Sequence, residues 1–204
     1  MTIRLLAFSG SSRTGSLNRR LLGVAVAAAR AAHAEVTELS IAPNLLPLYD
    51  GDLEQATGLP AAVHELKAQF AAHDGFLIAS PEYNGFFTPL LKNTLDWISR
   101  PLPGAPAPFA GKTAALFAAS AGALGGIRGL PHLRLLLSNL GVIVAPGQMA
   151  LGRADQAVGA DARLTDAAQQ TLLEKCIADH AALTRAIQGK GEGKNEGKNE
   201  GKGE

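Results

Sequence analysis

The stretch I-R-L-L-A-F-S-G-S-S-R-T-G-S-L-N, residues 3–18, decides the fold. Ile3 to Phe8 is a nearly continuous apolar run stopped by Ser9-Gly10, the pattern of a short strand buried on both faces. Ser16 then opens an Ala- and Leu-rich segment reaching about His33. There Leu21, Leu22, Ala25, Ala28, Ala29 and Ala32 share one helical face. A buried strand that feeds an amphipathic helix through a polar, glycine-containing loop is the first half of a βαβ unit.

The same alternation continues along the chain. Val36 to Leu39 reads as a second strand, followed by a loop holding Pro43, Pro47 and Gly51. A helix follows from about Pro60 to His73, with Val63, Leu66 and Phe70 at helical spacing. Gly75 to Ala79 is the third strand, ended by Ser80-Pro81, and Pro89 to Ser99 is a helix with Leu91, Leu95 and Ile98 on one stripe. Four prolines between Pro101 and Pro108 impose an extended loop. Thr113 to Ala119 is the fourth strand, Ile127 to Leu140 a helix, and Gly141 to Ala145 starts the fifth strand. A last helix runs from about Asp161 to Gln188. Five strands alternating with five helices predict an α/β doubly wound domain with a five-stranded parallel sheet. Ligands in such sheets sit at the carboxyl ends of the strands, which directs attention to the loops after strands one, three and four.

Composition bounds the function. The 204 residues carry 19 Lys+Arg against 18 Asp+Glu, a formal charge of +1 that argues against a nucleic-acid partner. The same neutrality disfavours an electron carrier that docks through a strong field. One cysteine excludes an internal disulfide framework. No targeting segment is visible and the longest apolar stretch, Leu21 to Ala29, ends at Arg30, so the expectation is a cytoplasmic protein without membrane contact. Residues 189–204 contain only Gly, Lys, Glu and Asn and are expected to be a disordered tail, leaving residues 1–188 as one domain.

The loop after the first strand gathers hydroxyls, backbone amides and a helix start, which together suit a phosphate; Arg13 can add a charge-assisted hydrogen bond. It has neither the Lys-Ser/Thr ending of a nucleotide triphosphatase loop nor a G-x-G-x-x-G fingerprint. A tyrosine-phosphatase reading fails because the cysteine, Cys176, lies in the last helix and reads as a packed thiol sharing a stripe with Leu172, Leu173 and Leu183. A dianionic monoester remains, such as the phosphate end of FMN. The second loop, Pro81-Glu-Tyr-Asn-Gly-Phe-Phe87, offers a flat aromatic and a flexible glycine to a planar heterocycle. The third, Ala119 to Gly126, supplies small residues and free amides for close backbone approach. The five histidines, His33, His64, His73, His132 and His180, fall on helices outside these loops and read as packing or surface residues.

With G-S-S-R-T-G-S-L-N at 10–18, P-E-Y-N-G at 81–85, L-K-N-T-L-D-W at 91–97 and S-A-G-A-L-G-G-I-R at 120–128, the chain resembles the NADPH-dependent FMN reductase family. These are flavodoxin-like quinone, chromate and azo-dye reductases, and the resemblance covers roughly residues 3–185. It implies that Ser11, Arg13, Ser16 and Asn18, with the amide of Leu17, hold the FMN phosphate. Pro81, Glu82, Tyr83 and Asn84 line the isoalloxazine, mostly through main-chain groups, with Ser120 and Gly122 on its opposite edge. Lys92, Asn93 and Asp96 look structural. The family often has Pro-Gly where Phe87-Thr88-Pro89 stands here, a departure that bears on acceptor size.

The implied chemistry is a ping-pong cycle in which NADPH or NADH reduces bound FMN and leaves. A quinone, azo compound, metal oxyanion or free flavin then takes its place. No side-chain acid or base and no metal is required. The alternatives are a flavin reductase that uses FMN as substrate for a partner monooxygenase, and a flavodoxin-like electron carrier without NAD(P)H activity. Arg128 and Arg134 are candidates for the extra phosphate of NADPH or, equally, for surface salt bridges. The helices at Leu91–Ile98 and Leu130–Leu140, with Trp97, offer apolar surface to a second copy, and the resemblance implies a homodimer or homotetramer.

Overall fold

The structure, a computed structural model, describes residues 1–159 and 161–196. Strands β1 (Arg4–Ser9), β2 (Glu35–Leu39), β3 (Gly75–Ala79), β4 (Thr113–Ala119) and β5 (Ile143–Leu151) form one all-parallel sheet in the order β2-β1-β3-β4-β5. This is the flavodoxin-like order, whose switch point lies between β1 and β3. Every residue of β3 and β4 is buried, as continuous apolar runs require.

Seven helices are seen among the described residues: α1 (Leu17–Ala31), α2 (Gly51–Thr57), α3 (Ala61–Ala72), α4 (Pro89–Ser99), α5 (Gly129–Asn139), α6 (Ala154–Ala157) and α7 (Ala167–Glu196). Helices α1 and α7 cover one face of the sheet, where Leu21, Leu22, Leu173 and Ile177 meet Leu5, Leu77 and Phe117. The other face packs Phe70 from α3, Trp97 from α4 and Leu133 from α5 on Phe8, Phe76 and Leu116.

Strands β3 and β4 and helix α4 keep their expected bounds, because Gly75, Pro81 and Pro89 punctuate them. Other elements depart from the sequence reading. Helix α2 lies in a stretch read as loop; it buries none of its residues and is held by the Asp50 cap and the Tyr49–Glu54 bond instead of by apolar periodicity. Strand β5 continues through Pro146 and Gly147 to Leu151, which an edge position tolerates because one side of the strand has no ladder to complete. Helix α7 starts at Ala167, not near Asp161: Asp161 is used in a turn with the Arg163 amide, while the Asp166 carboxylate accepts from the Gln169 amide at 2.8 Å. It runs on to Glu196; residues 197–204 of the expected tail lie outside the described residues.

Two apolar stripes also change meaning. Leu91, Leu95, Trp97 and Ile98 are all buried in this chain's own core, so α4 has no such stripe left for a second copy. Cys176 is buried against Gly147 as expected, and burial pushes its thiol up, away from reactivity. Leu172, on the same expected stripe, is half exposed.

One buried polar network joins α7 to β4. Thr184 Oγ1 donates to the His180 carbonyl (2.8 Å), so it accepts from Thr113 Oγ1 (2.6 Å), which in turn accepts from His180 Nε2 (2.9 Å). This chain of donors fixes the neutral Nε2-protonated tautomer and leaves Nδ1 buried without a partner. Burial, against a weaker upward pull from Thr113, drives the imidazole down to about 4. Because the folded value lies below the unfolded one near 6.5, the unfolded chain binds the extra proton between those limits. The stability tied to neutral His180, roughly 3 kcal/mol, is therefore present above pH 6.5 and lost as the pH falls towards 4. Denaturant titrations at pH 4–7 should show this loss, and His180→Gln, which cannot titrate, should flatten that part of the curve.

Candidate active site

Three loops at the carboxyl ends of β1, β3 and β4 meet in one cleft of about 200 Å³. Nine of the eleven residues expected to hold cofactor line it: Ser11, Arg13, Ser16, Leu17, Asn18, Pro81, Glu82, Tyr83 and Ser120. Ala119 and Ala121 complete the wall. Asn84 and Gly122 stand off it. Asn84 is at a turn tip, and the Gly122 carbonyl accepts from Ser120 Oγ and from the Arg153 amide.

The first loop wraps the start of α1. Ser16 is the N-cap, in extended conformation, and its Oγ accepts from the Arg19 amide at 3.2 Å. Buried Ser11 has its carbonyl held by Arg19 Nη2 at 2.8 Å. The guanidinium of Arg13 is exposed and makes no hydrogen bond or ion pair among the described residues. Hydroxyls, first-turn amides and one uncommitted cation suit a phosphate group. The Asn18 side chain is engaged elsewhere, its Nδ2 donating to the Ala119 carbonyl (2.8 Å) and its Oδ1 accepting from the Ala119 amide (3.0 Å). Asn18 thus shapes the cradle by pinning α1 to the end of β4.

Gly10 opens this loop under close constraint. Its carbonyl accepts from Thr88 Oγ1 at 2.6 Å, and a Cβ on Gly10 would stand 2.9 Å from that same oxygen. Thr88 also caps α4 through the Leu91 amide.

The second loop is a tight hairpin. Tyr83 and Phe86 exchange main-chain hydrogen bonds (2.8 and 3.1 Å) across Asn84-Gly85, both with positive φ (53° and 82°), the signature of a type I′ turn. The Asn-Gly dipeptide is the sequence signal for it, and a reading of Gly85 as merely flexible misses it. The turn leaves Tyr83 and Phe86 half exposed at the cleft mouth, with Phe86 stacked on Phe87 and His132.

Glu82 joins the second loop to the third. Its carboxylate accepts from the amides of Arg128 (2.9 Å) and Gly129 (3.3 Å) and from Arg128 Nε (2.7 Å), so it caps α5 from another segment. Burial pushes this carboxyl up, but the Arg128 guanidinium and the two amides outweigh burial and hold it below the usual range. Arg128 is therefore committed to Glu82, and Arg134 to the carbonyls of Val144 and Ala145 and to Gln148. Both arginines are engaged within the protein. Lys92 and Asp96 form an ion pair along α4, and Asn93 holds the Tyr49 amide and Pro47 carbonyl, as structural residues do.

The profile of the family described as NADPH-dependent FMN reductase matches residues 3–156. An NAD(P)H-dependent FMN reductase of Pseudomonas aeruginosa is 35% identical over 189 residues, which cover 92% of this chain and 98% of that one. A quinone reductase of Escherichia coli is 38% identical over 144 residues, covering 70% of this chain and 73% of its own. Among solved structures, the flavoenzyme NAD(P)H:(acceptor) oxidoreductase FerB of Paracoccus denitrificans superposes with a TM-score of 0.79 at 25% identity, covering 91% of this chain and 99% of that chain.

The Glu82 clamp is testable without any ligand. Glu82→Ala removes a carboxylate whose side chain is only 8% exposed, together with three hydrogen bonds, and should cost about 2 kcal/mol of stability. Hydrogen exchange at the Arg128 and Gly129 amides should quicken while exchange within β3 stays slow. Unchanged exchange at both amides would rule the clamp out.

Proposed function

The chain belongs to the NADPH-dependent FMN reductase family, and on that premise we propose that this enzyme reduces small acceptors by a ping-pong cycle. FMN, when bound, would supply the two-electron redox chemistry between NADPH or NADH and quinones, azo compounds, metal oxyanions or similar acceptors. One observation carries the reading: three loops far apart in sequence converge on a single cleft whose one end suits a phosphate and whose other end is flanked by an exposed aromatic.

The residues divide the work. Ser11 and Ser16, the first-turn amides of α1 and the guanidinium of Arg13 hold the phosphate. Pro81, Glu82 and Tyr83 place the main chain of the second loop along the isoalloxazine and Ser120 faces its other edge, while Asn84 and Gly122, off the cleft wall, shape the turns that hold them. Their contribution is positioning, because Glu82 is bound to α5 and ionised, in no state to donate a proton. No His, Cys, Asp or Glu group able to hold a metal exists among the described residues. Solvent-accessible Tyr83 and Phe86 leave one face of the cleft open to substrates that arrive in turn. The family departure at Phe87-Thr88-Pro89 has a local use: Phe87 is buried and Thr88 ties down Gly10.

Tyr83, Phe86, Leu124 and Ile127 are exposed on the second and third loops and at the start of α5, an apolar rim that supports a homodimer or homotetramer with the cleft near the contact. No helix among the described residues is long and apolar enough to cross a membrane, and the cytoplasm is the proposed location.

The purified protein should be yellow. NADPH or NADH should bleach it under anaerobic conditions, and a quinone should restore the colour. A yellow protein inert to both nucleotides would instead be an electron carrier; failure to retain FMN at micromolar concentration would point to FMN as a substrate. In titrations of the apoprotein, Arg13→Ala and Ser16→Ala should weaken FMN roughly ten- to hundredfold while leaving riboflavin, which lacks the phosphate, unaffected. Equal affinities for FMN in all three proteins would sink the cradle. Sedimentation should give a species of at least twice 21.1 kDa. A monomer at every concentration would overturn the assembly.

A further inference from the structure

We propose that a second cavity, between α3 and the proline-rich loop 101–108, binds a small carboxylate with an apolar body, its charge met by Lys67. The loop joins the end of α4 to the start of β4, so this site lies toward the amino ends of the strands, away from the cofactor cleft. Helix α3 lends it one face: Ala68, Ala71 and Ala72, at spacings of three and four, leave a trough that larger side chains would fill. Leu102 and Pro106 form the opposite wall. A turn fixes that wall: the Ala105 amide donates to the Leu102 carbonyl at 3.1 Å across Pro103-Gly104, with Gly104 at a φ of 77°. The cavity measures about 360 Å³, against about 200 Å³ for the cofactor cleft, and falls within the roughly 300–1,000 Å³ typical of small-ligand sites. An adjoining cavity of about 340 Å³ along the loop also borders Lys67, so this residue stands where the two meet.

Lys67 gives the cavity its chemistry. The residue is only 5% exposed, and its Nζ donates to the carbonyls of Ile98 (2.8 Å) and Arg100 (2.6 Å) at the end of α4. An ammonium has three N–H donors, and these bonds use two. Carbonyl dipoles supply no full countercharge, and no carboxylate pairs with Lys67 among the described residues. Burial accordingly pulls the ammonium below the usual lysine range, with no charge opposing that pull. The third donor and the missing countercharge together select the ligand. A neutral acceptor would leave the buried charge unbalanced. A phosphate dianion would need further donors or a second cation, and the nearby guanidinium of Arg100 is spent on Glu54 and the Tyr49 ring. A carboxylate matches one ammonium in charge and leaves its tail to the alanine trough and Leu102.

The test is calorimetric titration of the full-length protein, in excess FMN so that the first cleft is occupied, with octanoate, octanol and acetate. Octanoate should bind saturably. Octanol, which lacks the charge, and acetate, which lacks the tail, should each bind about tenfold or more weakly than octanoate. Lys67→Met removes the charge at similar length, and Ala68→Leu fills the trough from an exposed helix position; each should weaken octanoate about tenfold or more. Lys67→Met also removes a cap on α4, so Ala68→Leu carries the test if that variant does not fold. Octanoate should shift the amide resonances of Gly104 and Ala105 and leave those of residues 11–18 in place. No saturable binding, equal affinity in wild type and Ala68→Leu, or octanol binding as tight as that of octanoate overturns the site. Arg13→Ala, which tests the flavin reading, should leave octanoate affinity unchanged, so the two proposals fail separately.

Discussion

The site depends on one side chain that never needs to touch a ligand. Asn18, in the first turn of α1, replaces the missing next partner at the end of β4 by bonding both the amide and the carbonyl of Ala119, 101 residues away. A buried primary amide matches a peptide group donor for acceptor, so no polar atom of the pair is left over. The consequence is geometric. The start of α1, which carries the proposed phosphate cradle, is referred directly to the sheet at the point where the third loop begins.

Two further bonds complete what Asn18 starts. Thr88 Oγ1 ties the end of the second loop to Gly10 in the first, and the Glu82 carboxylate ties the second loop to the α5 start that ends the third. The three loops are therefore fastened pairwise, and each fastening uses buried or charge-assisted hydrogen bonds. Loops are ordinarily the mobile part of an α/β domain. The three ties leave out the Asn84-Gly85 tip, which its own hairpin bonds hold, and the exposed aromatic side chains beside it. A cofactor held by such loops finds its main-chain donors already placed, which reduces the ordering cost of binding.

The sequence shows the elements and conceals the ties. Strands β3 and β4 are legible because a continuous apolar run between Gly, Pro or Lys-Thr boundaries has few other solutions. That the first loop lines the cleft is legible from its density of hydroxyls ahead of a helix. Asn18 reads as a ligand to that phosphate, since nothing local says that its partner lies on β4. Glu82 reads as a wall of the cleft for the same reason: its cap on α5 depends on a contact 46 residues away. Helix α2 escapes because it has no buried face to leave a period in the sequence, and the later part of β5 because Pro146-Gly147 reads as a turn unless the strand is known to be an edge.

The arginines show how a nearly neutral chain can still present charge at the proposed phosphate cradle. Arg19, Arg20, Arg30, Arg100, Arg128, Arg134 and Arg185 are all spent on carbonyls or carboxylates of the protein itself. Three of them, Arg19, Arg20 and Arg185, hold the carbonyls of Ser11, Val158 and Ala32 in loops or at a helix end, where no regular backbone partner exists. Arg13 is left uncommitted at the cradle, one full charge beside the positive end of α1. Fixed amides and a single guanidinium match a phosphate at short range, and with a net charge of +1 the chain as a whole supplies no strong long-range field to draw in anions or protein partners. Selectivity then has to come from the shape of the cleft and from what its three ties hold still.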